Sequence, residues 1–147
     1  MNSPGYRPPD LALVGPEHVR RYQETGGEVG YEWNGVPILL LTTTGRHSGL
    51  PRTTALIFAR DGDDHLVVAS KGGSAEHPEW YRNLVARPEV EIQVRAERRK
   101  VRAATAATAD KPRLWEILTA IWPNYDTYQA RTERPIPVVV LSPAEQR

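Results

Sequence analysis

Apolar residues in this chain come in short bursts, and the spacing inside each burst predicts its element. Val36 to Leu41 is nearly unbroken and runs on into Thr42 and Thr43. An apolar run of that length, bounded by turn residues, predicts a buried strand. Arg52 to Ala59 and His65 to Ser70 predict two more strands. The turn signal Asp61-Gly62-Asp63-Asp64 joins that second and third strand as a hairpin. Val90, Ile92 and Val94 alternate with Glu91 and Gln93, the pattern of a half-buried strand, and Arg98 to Thr105 is its expected partner. Pro137 to Leu141 predicts the last strand.

Helical spacing fills the intervals. Pro78 opens a helix to about Ala86, in which Trp80 and Leu84 share a face. Asp110 stands where a cap belongs, ahead of Leu114, Ile117, Leu118, Ile121 and Trp122 at helical period. Pro123 interrupts that helix, and Asn124 to Thr132 predicts another short one. Pro16 to Tyr22 predicts a helix ended by Gly26-Gly27, and residues 1–15 read as a loose arm. Three strands, a helix, two strands, a helix and a strand, joined by short turns, predict an α+β chain. Its sheet is a small, mostly antiparallel β-barrel with helices packed outside, rather than a doubly wound parallel sheet. The expected division is an arm over residues 1–30 and one barrel domain over 31–147.

Composition narrows the chemistry. A net charge of +1 over 147 residues supplies no global field for nucleic acid. The absence of cysteine removes disulfides, a thiolate nucleophile and Cys-ligated metals. His18, His47, His65 and His77 show no metal-ligand spacing, so no metal is expected. The serines lack the setting of a hydrolase nucleophile. No run approaches the ~20 apolar residues of a membrane span, and Met1 to Asp10 has no apolar signal core. A cytoplasmic location is therefore expected.

The cations are local. Arg95, Arg98, Arg99, Lys100 and Arg102 read as a solvated hairpin. Arg46, Arg52 and Lys71 instead flank glycines, in Thr42-Thr-Thr-Gly-Arg-His-Ser-Gly-Leu-Pro-Arg52 and Ala69-Ser-Lys-Gly-Gly-Ser74. Glycine turns expose successive backbone N–H groups, and Arg is a planar fork suited to phosphate and carboxylate. Neither loop has P-loop spacing, and no G-x-G-x-x-G fingerprint occurs. Trp122, Tyr125 and Tyr128 read either as core or as an aromatic wall over a flat ligand, with Tyr125 and Tyr128 on one helix face. Together these features suggest a cradle for a long, anionic cofactor.

Four segments are similar to the deazaflavin-dependent nitroreductase family: Leu40 to Arg52, Val68 to Gly73, His77 to Leu84, and Tyr125 to Thr132 followed by Arg134-Pro-Ile-Pro137. The resemblance covers about residues 36–142. It implies a split β-barrel of the flavin-reductase, FMN-binding type and the cofactor coenzyme F420, a deazaflavin with a phospholactyl and oligoglutamate tail. It further implies hydride transfer from the reduced form, F420H2, to a quinone, nitroaromatic or activated enone.

Residue by residue, the resemblance implies that Arg46, His47 and Ser48 hold the tail and phosphate. The family often carries Lys where His47 stands. Arg52, Thr53, Thr54, Ala55, Leu56 and Ile57 would line the channel. Val68, Ala69, Ser70 and Lys71 would lie along the ring and its side chain, and Glu79, Trp80, Tyr81, Arg82 and Asn83 would complete the pocket. Tyr125 would sit near the ring and Tyr128 on the substrate side, with Ser70, Tyr125 and Tyr128 as catalytic groups. Ile57 and Trp122 stand where some members have tyrosine, which favours quinones over nitro compounds. The alternatives are a non-catalytic deazaflavin or flavin carrier, and FMN in the same barrel. The expected partner is a small hydrophobic electron acceptor, with no nucleic acid and a monomeric chain; peripheral membrane contact stays open as an alternative but is not indicated.

Overall fold

A computed structural model describes residues 5–144. Its elements run α1 (Gly15–Thr25), β1 (Glu32–Trp33), β2 (Val36–Thr44), β3 (Pro51–Ile57), β4 (Ala59–Asp61) and β5 (Asp64–Val68). A 3-10 turn at Lys71–Gly73 then leads to α2 (Glu79–Ala86), β6 (Glu89–Val94), β7 (Glu97–Thr105), α3 (Lys111–Ile121), α4 (Asn124–Ala130) and β8 (Val138–Pro143). The sheet has the order β1-β2-β6-β7-β8-β5-β4, with β3 also paired to β2. Every pairing is antiparallel, and the sheet curls as half a barrel with the helices outside it.

Strand β2 organises the core because its alternating side chains serve two layers. Leu39 and Leu41 pack with Val67, Leu84, Ile92, Val139 and Leu141. Ile38 and Leu40 face the other way, onto Tyr22 of α1. A third cluster seats α3 and α4, through Leu114, Leu118 and Trp122, on Leu66, Val68 and Val138.

The expected strand over 52–59 is two strands. β3 pairs with β2 from Ile38↔Ile57 to Thr44↔Pro51, whereas β4 pairs with β5. Between them the Phe58 N–H donates to Pro37 O at 3.2 Å, and its side chain is buried. The predicted hairpin therefore survives only in its β4–β5 half. The short strand β1 was not expected. It folds back on β2 through Asn34-Gly35, whose φ values of +52° and +81° belong to the two-residue turn that Asn-Gly favours. Asp110 precedes α3 with backbone already helical and makes no side-chain cap, and Pro78 takes the cap position of α2 rather than its first turn.

The N-terminal region departs most from its expected looseness. Helix α1 ends at Gly26, whose φ is +61° and whose N–H reaches Tyr22 O. Tyr22 is fully buried, and its hydroxyl lies 2.9 Å from Ile38 O and 3.2 Å from Gln93 O while accepting the Arg95 N–H at 2.8 Å. Helix α1 is thus tied to the sheet through Tyr22, while residues 1–4 of the expected arm lie outside the described residues. The arm before α1 is held by side-chain amides. Asn124 accepts the Arg7 N–H at 2.7 Å and donates to Arg7 O at 2.8 Å. Asn34 does the same for Asp10, at 2.7 and 3.0 Å. The Trp33 indole N–H donates to Leu13 O at 2.9 Å. Among the described residues, no helix is long and apolar enough to cross a membrane.

One buried titratable group sets a pH response. His65 on β5 is 2% exposed, and its ring lies 5.3 Å from that of Phe58. Burial, helped by Arg60 and Arg99, lowers its pKa to about 4. Between about pH 6.5 and 4 the unfolded chain binds a proton there that the folded protein does not. Stability is therefore complete above the unfolded pKa and falls as pH drops through this window, by about 3 kcal/mol at most. His65→Leu should flatten the pH dependence of urea unfolding between pH 7 and 4. An unchanged slope would remove His65 as its source.

Candidate active site

Two cavities join along the unpaired side of β3. One, of about 750 Å³, is mainly apolar; the other, of about 400 Å³, is cationic, and Thr53, Thr54 and Trp80 line both. The larger is of the size that holds a small organic ligand. β3 supplies Arg52 to Thr54 to the smaller cavity and Thr53 to Ile57 to the larger. Facing β3 are Val68 at the end of β5, Ser70, Lys71 and Gly72 just after it, and Tyr125 and Tyr128 of α4.

The cationic end rests on the loop from Gly45 to Leu50. The Gly45 N–H donates to Leu50 O and the Gly49 N–H to Gly45 O, both at 2.8 Å. A Cβ at Gly45 would come within 2.6 Å of Ser48 Oγ and 3.3 Å of Leu50 O, so a side chain there would push the serine hydroxyl from its place. Ser48 Oγ accepts the Leu50 N–H at 3.1 Å and so helps to close the turn. Arg46 donates to Asn83 Oδ1 from its backbone and its guanidinium, at 3.2 and 2.8 Å, and to Glu79 Oε1 at 2.7 Å. Buried Asn83 in turn donates to Thr43 Oγ1 at 3.2 Å. The Arg46 guanidinium holds the Glu79 carboxyl below its ordinary pKa. Arg46 is thus already matched. Among the described residues Arg52 and Lys71 form no close ion pair, so they are the cations open to an incoming anion.

At the other end, Lys71, Gly72 and Gly73 follow one another at φ +47°, +64° and +87°. A Cβ on Gly73 would lie 2.5 Å from Tyr128 O, because the loop rests directly on α4. Arg134 closes this loop from behind. Its guanidinium donates to Ser70 O and Ser74 O at 2.8 Å and to Ala69 O at 3.2 Å, and it lies 3.0 Å from His77 Nδ1, which accepts. Burial, with Arg134 and Arg82, keeps the His77 pKa low.

Tyr125 is 4% exposed, and burial raises its phenol pKa well above the ordinary value. It is therefore a neutral donor at physiological pH. The Tyr128 ring lies 6.1 Å away, and its hydroxyl accepts the Trp122 indole N–H at 3.4 Å. Of the three aromatics, only the two tyrosines face the cavity. Trp122 is buried behind them and 5.6 Å from the Trp33 ring.

Most of the expected site residues are brought together here: Arg46, His47, Ser48, Arg52, Glu79 and Asn83 around the smaller cavity, and Ala55, Leu56, Ile57, Val68, Ser70, Lys71, Tyr125 and Tyr128 around the larger. Ala69, Tyr81 and Arg82 line neither. Ala69 is fully buried, with its N–H donating to Pro137 O at 3.0 Å. The Tyr81 hydroxyl lies 2.7 Å from Thr105 Oγ1. Helical period explains the split on α2, since positions 79, 80 and 83 share a face that 81 and 82 leave. Sequence reasoning missed Arg134, Trp33 and the wall formed by Leu13, Val14, His18, Val19 and Gln23. The helical spacing of His18, Val19 and Tyr22 is the signal that marks an inward face on α1.

A curled antiparallel sheet whose aromatic cavity opens onto a cationic one defines a reductase of the split-barrel, flavin-type class. Residues 15–143 match the family described as F420H(2)-dependent quinone reductase, and the chain belongs to that family. It is 49% identical over 129 residues to the F420H(2)-dependent quinone reductase Rv1261c of Mycobacterium tuberculosis, covering 85% of this chain and 87% of that protein. Among solved structures it resembles the F420-H2 dependent reductase FDR-A, with 34% identity and a TM-score of 0.67 over 72% of this chain and 94% of that one. It also resembles a domain-swapped dimer, with 33% identity and a TM-score of 0.70 over 86% and 95% of the two chains.

The contact between the glycine turn and α4 can be tested directly. Gly73→Ala should destabilise the protein by about 1–3 kcal/mol in chemical denaturation, through strain and the clash with Tyr128 O. Gly72→Ala has open space around its new methyl and should cost less. Equal costs would mean that the close approach to α4 contributes nothing.

Proposed function

We propose that this chain is a cytoplasmic F420H2-dependent quinone reductase that works as a monomer. The observation that carries the reading is the continuity of the two cavities through Thr53, Thr54 and Trp80. A flat ring has an aromatic, apolar space at one end of the groove, beside Lys71, and an anionic tail has Arg52 and His47 at the other. These residues fit coenzyme F420.

Bound F420H2 would supply the hydride that, with a proton, reduces a quinone. The protein's part is binding, orientation and exclusion of water. Arg52 and Lys71 attract the anionic tail, and Arg46 does so to the extent that it exchanges Glu79 for the ligand. The Tyr125 hydroxyl is a neutral donor in a mainly apolar cavity, suited to hydrogen-bond an acceptor oxygen as negative charge develops on it. Ser70 adds a second hydroxyl on the facing wall. The half-exposed Tyr128 hydroxyl offers the proton at its Oη. Residues of the arm and α1 line the same space beside β3. Quinones suit the site better than nitro compounds, since Ile57 and buried Trp122 leave Tyr125 and Tyr128 as the phenols at the cavity wall.

Anaerobic mixing of the protein with F420H2 and menadione should return the absorbance of oxidised F420 far faster than a control without protein. Binding without that return would favour the carrier reading, and absence of binding would overturn the reductase. Tyr125→Phe should lower kcat by about 10- to 100-fold while leaving the Kd for F420 within about twofold. Equal losses in both would remove the proposed role.

A second expectation concerns charge. Arg52→Ala and Lys71→Ala should each weaken F420 binding, with losses that shrink as salt rises. Glu79→Gln should act in the opposite sense and tighten binding by freeing Arg46. Weaker binding by Glu79→Gln would show that the carboxylate aims Arg46 instead of competing for it.

A further inference from the structure

Arg134 lines neither cavity, yet its guanidinium contacts all go to the segment that carries Ser70 and Lys71. Among the described residues no carboxylate pairs with it, and it is only partly exposed. A cation taken out of water without a counter-ion is costly unless its hydrogen bonds compensate. Here they go to Ala69 O, Ser70 O, Ser74 O and His77 Nδ1. The rigid fork of an arginine can span such a set, whereas an ammonium is a point with three donors.

Two of these acceptors are consecutive. Ala69 O belongs to the peptide that carries the Ser70 N–H, and Ser70 O to the peptide that carries the Lys71 N–H. Arg134 therefore grips the peptide planes on both sides of Ser70. In a trans peptide the N–H points opposite to the C=O. Both N–H groups accordingly point away from Arg134, and among the described residues neither has a hydrogen-bond acceptor. Ser70 and Lys71 are themselves cavity-lining residues. The backbone just beyond is held in an unfavourable form, since Lys71 has φ +47° without being glycine. Arg131 Nη1 donates to Gly72 O at 3.3 Å and adds a second hold on the same turn.

We propose that Arg134 is a positioning residue that fixes the two peptide planes flanking Ser70, and so presents the Ser70 and Lys71 N–H groups as a paired donor for an oxygen of the bound cofactor. This rests on the reductase reading above. Two backbone N–H groups fixed before the ligand arrives cost no reorganisation when they bind, the property that makes such pairs effective toward oxygen. The oxygen is either a ring carbonyl or a phosphate oxygen. The two sources are separable, because a deazaflavin riboside without phosphate carries only the first.

The test uses the full chain with Arg134→Gln, Arg134→Lys and Arg134→Ala. Fluorescence titration should show the Kd for F420 rising by about tenfold or more in Arg134→Gln, and less in Arg134→Lys, which keeps the charge and the fold. The KM for F420H2 should rise in parallel while the KM for menadione stays within about twofold. Millimolar guanidinium should restore part of the F420 affinity of Arg134→Ala. Loss of affinity for F420 and the riboside alike assigns the oxygen to the ring, and loss for F420 alone assigns it to the phosphate. Trypsin cleavage after Lys71, measured without cofactor, should quicken in every variant.

Folded variants that bind F420 like the wild type would overturn this inference and leave the reductase intact. So would a rise in both KM values together without guanidinium rescue, which would mark a general structural role. A wild type that binds no F420 would overturn the reductase reading and the assignment of the oxygen with it. Faster cleavage at Lys71 would then still show the grip on the loop.

Discussion

Between Ile57 and Ala59 the chain leaves β2 for β5, and the gap opened by this change of partner is the space in which the site lies. β3 keeps β2 on one edge for its whole length, so its other edge faces a cavity rather than a strand. The gap does not collapse because both sides are anchored independently. Phe58 is fixed in the core and bonded to Pro37 O, while Val67 and Val68 are held by β8. The same break in the ladder that weakens the sheet locally leaves a wall of side chains and backbone free to meet a ligand.

Around that gap the polar groups are arranged in depth. Arg46 is held by Asn83, Asn83 by Thr43, and the guanidinium by Glu79, so the cation at the narrow end is both aimed and neutralised before any ligand arrives. Arg52 carries unmatched charge nearby. At the wide end the glycine turn lies against α4, and the tyrosines of α4 complete the apolar wall. A single groove therefore runs from Arg52 at its narrow end to buried, neutral Tyr125 at its wide end, where Lys71 adds a cation at the glycine turn.

The parts of this arrangement that sequence reveals are those with local causes. Val36 to Leu41 announces a buried strand by uninterrupted apolarity, and Val90, Ile92 and Val94 announce a half-buried one by alternation. The break at Phe58 is hidden, because Leu56-Ile57-Phe58-Ala59 reads as one continuous strand and only the choice of partner divides it. Lys71 and Arg52 stand out beside their glycines. The Arg46–Glu79 match does not, since its members are brought together by the fold across 33 positions. Tyr81 and Arg82 were separable from Trp80 and Asn83 by helical period, and Asn34-Gly35 was a readable hairpin. Trp122 carried the same aromatic signal as Tyr125 and Tyr128, and only packing shows that it stands behind them.

The arm that runs into Leu13 and Val14 at the cavity is held largely through its backbone, and the Arg7 guanidinium adds a bond to Asn34 O at 3.4 Å and a place over the Trp122 ring. The amides of Asn124 and Asn34 each offer one donor and one acceptor, as a neighbouring strand would, and the Trp33 indole adds one more donor. None of the three reads a side chain of Arg7, Asp10 or Leu13. Apart from Arg7 and Asp10, whose side chains make contacts of their own, the amino acids of this stretch are accordingly free to drift under mutation while the stretch stays in place. Evolution can thus reshape one wall of the cavity by single substitutions, altering which acceptors enter, without renegotiating how that wall is attached to the barrel.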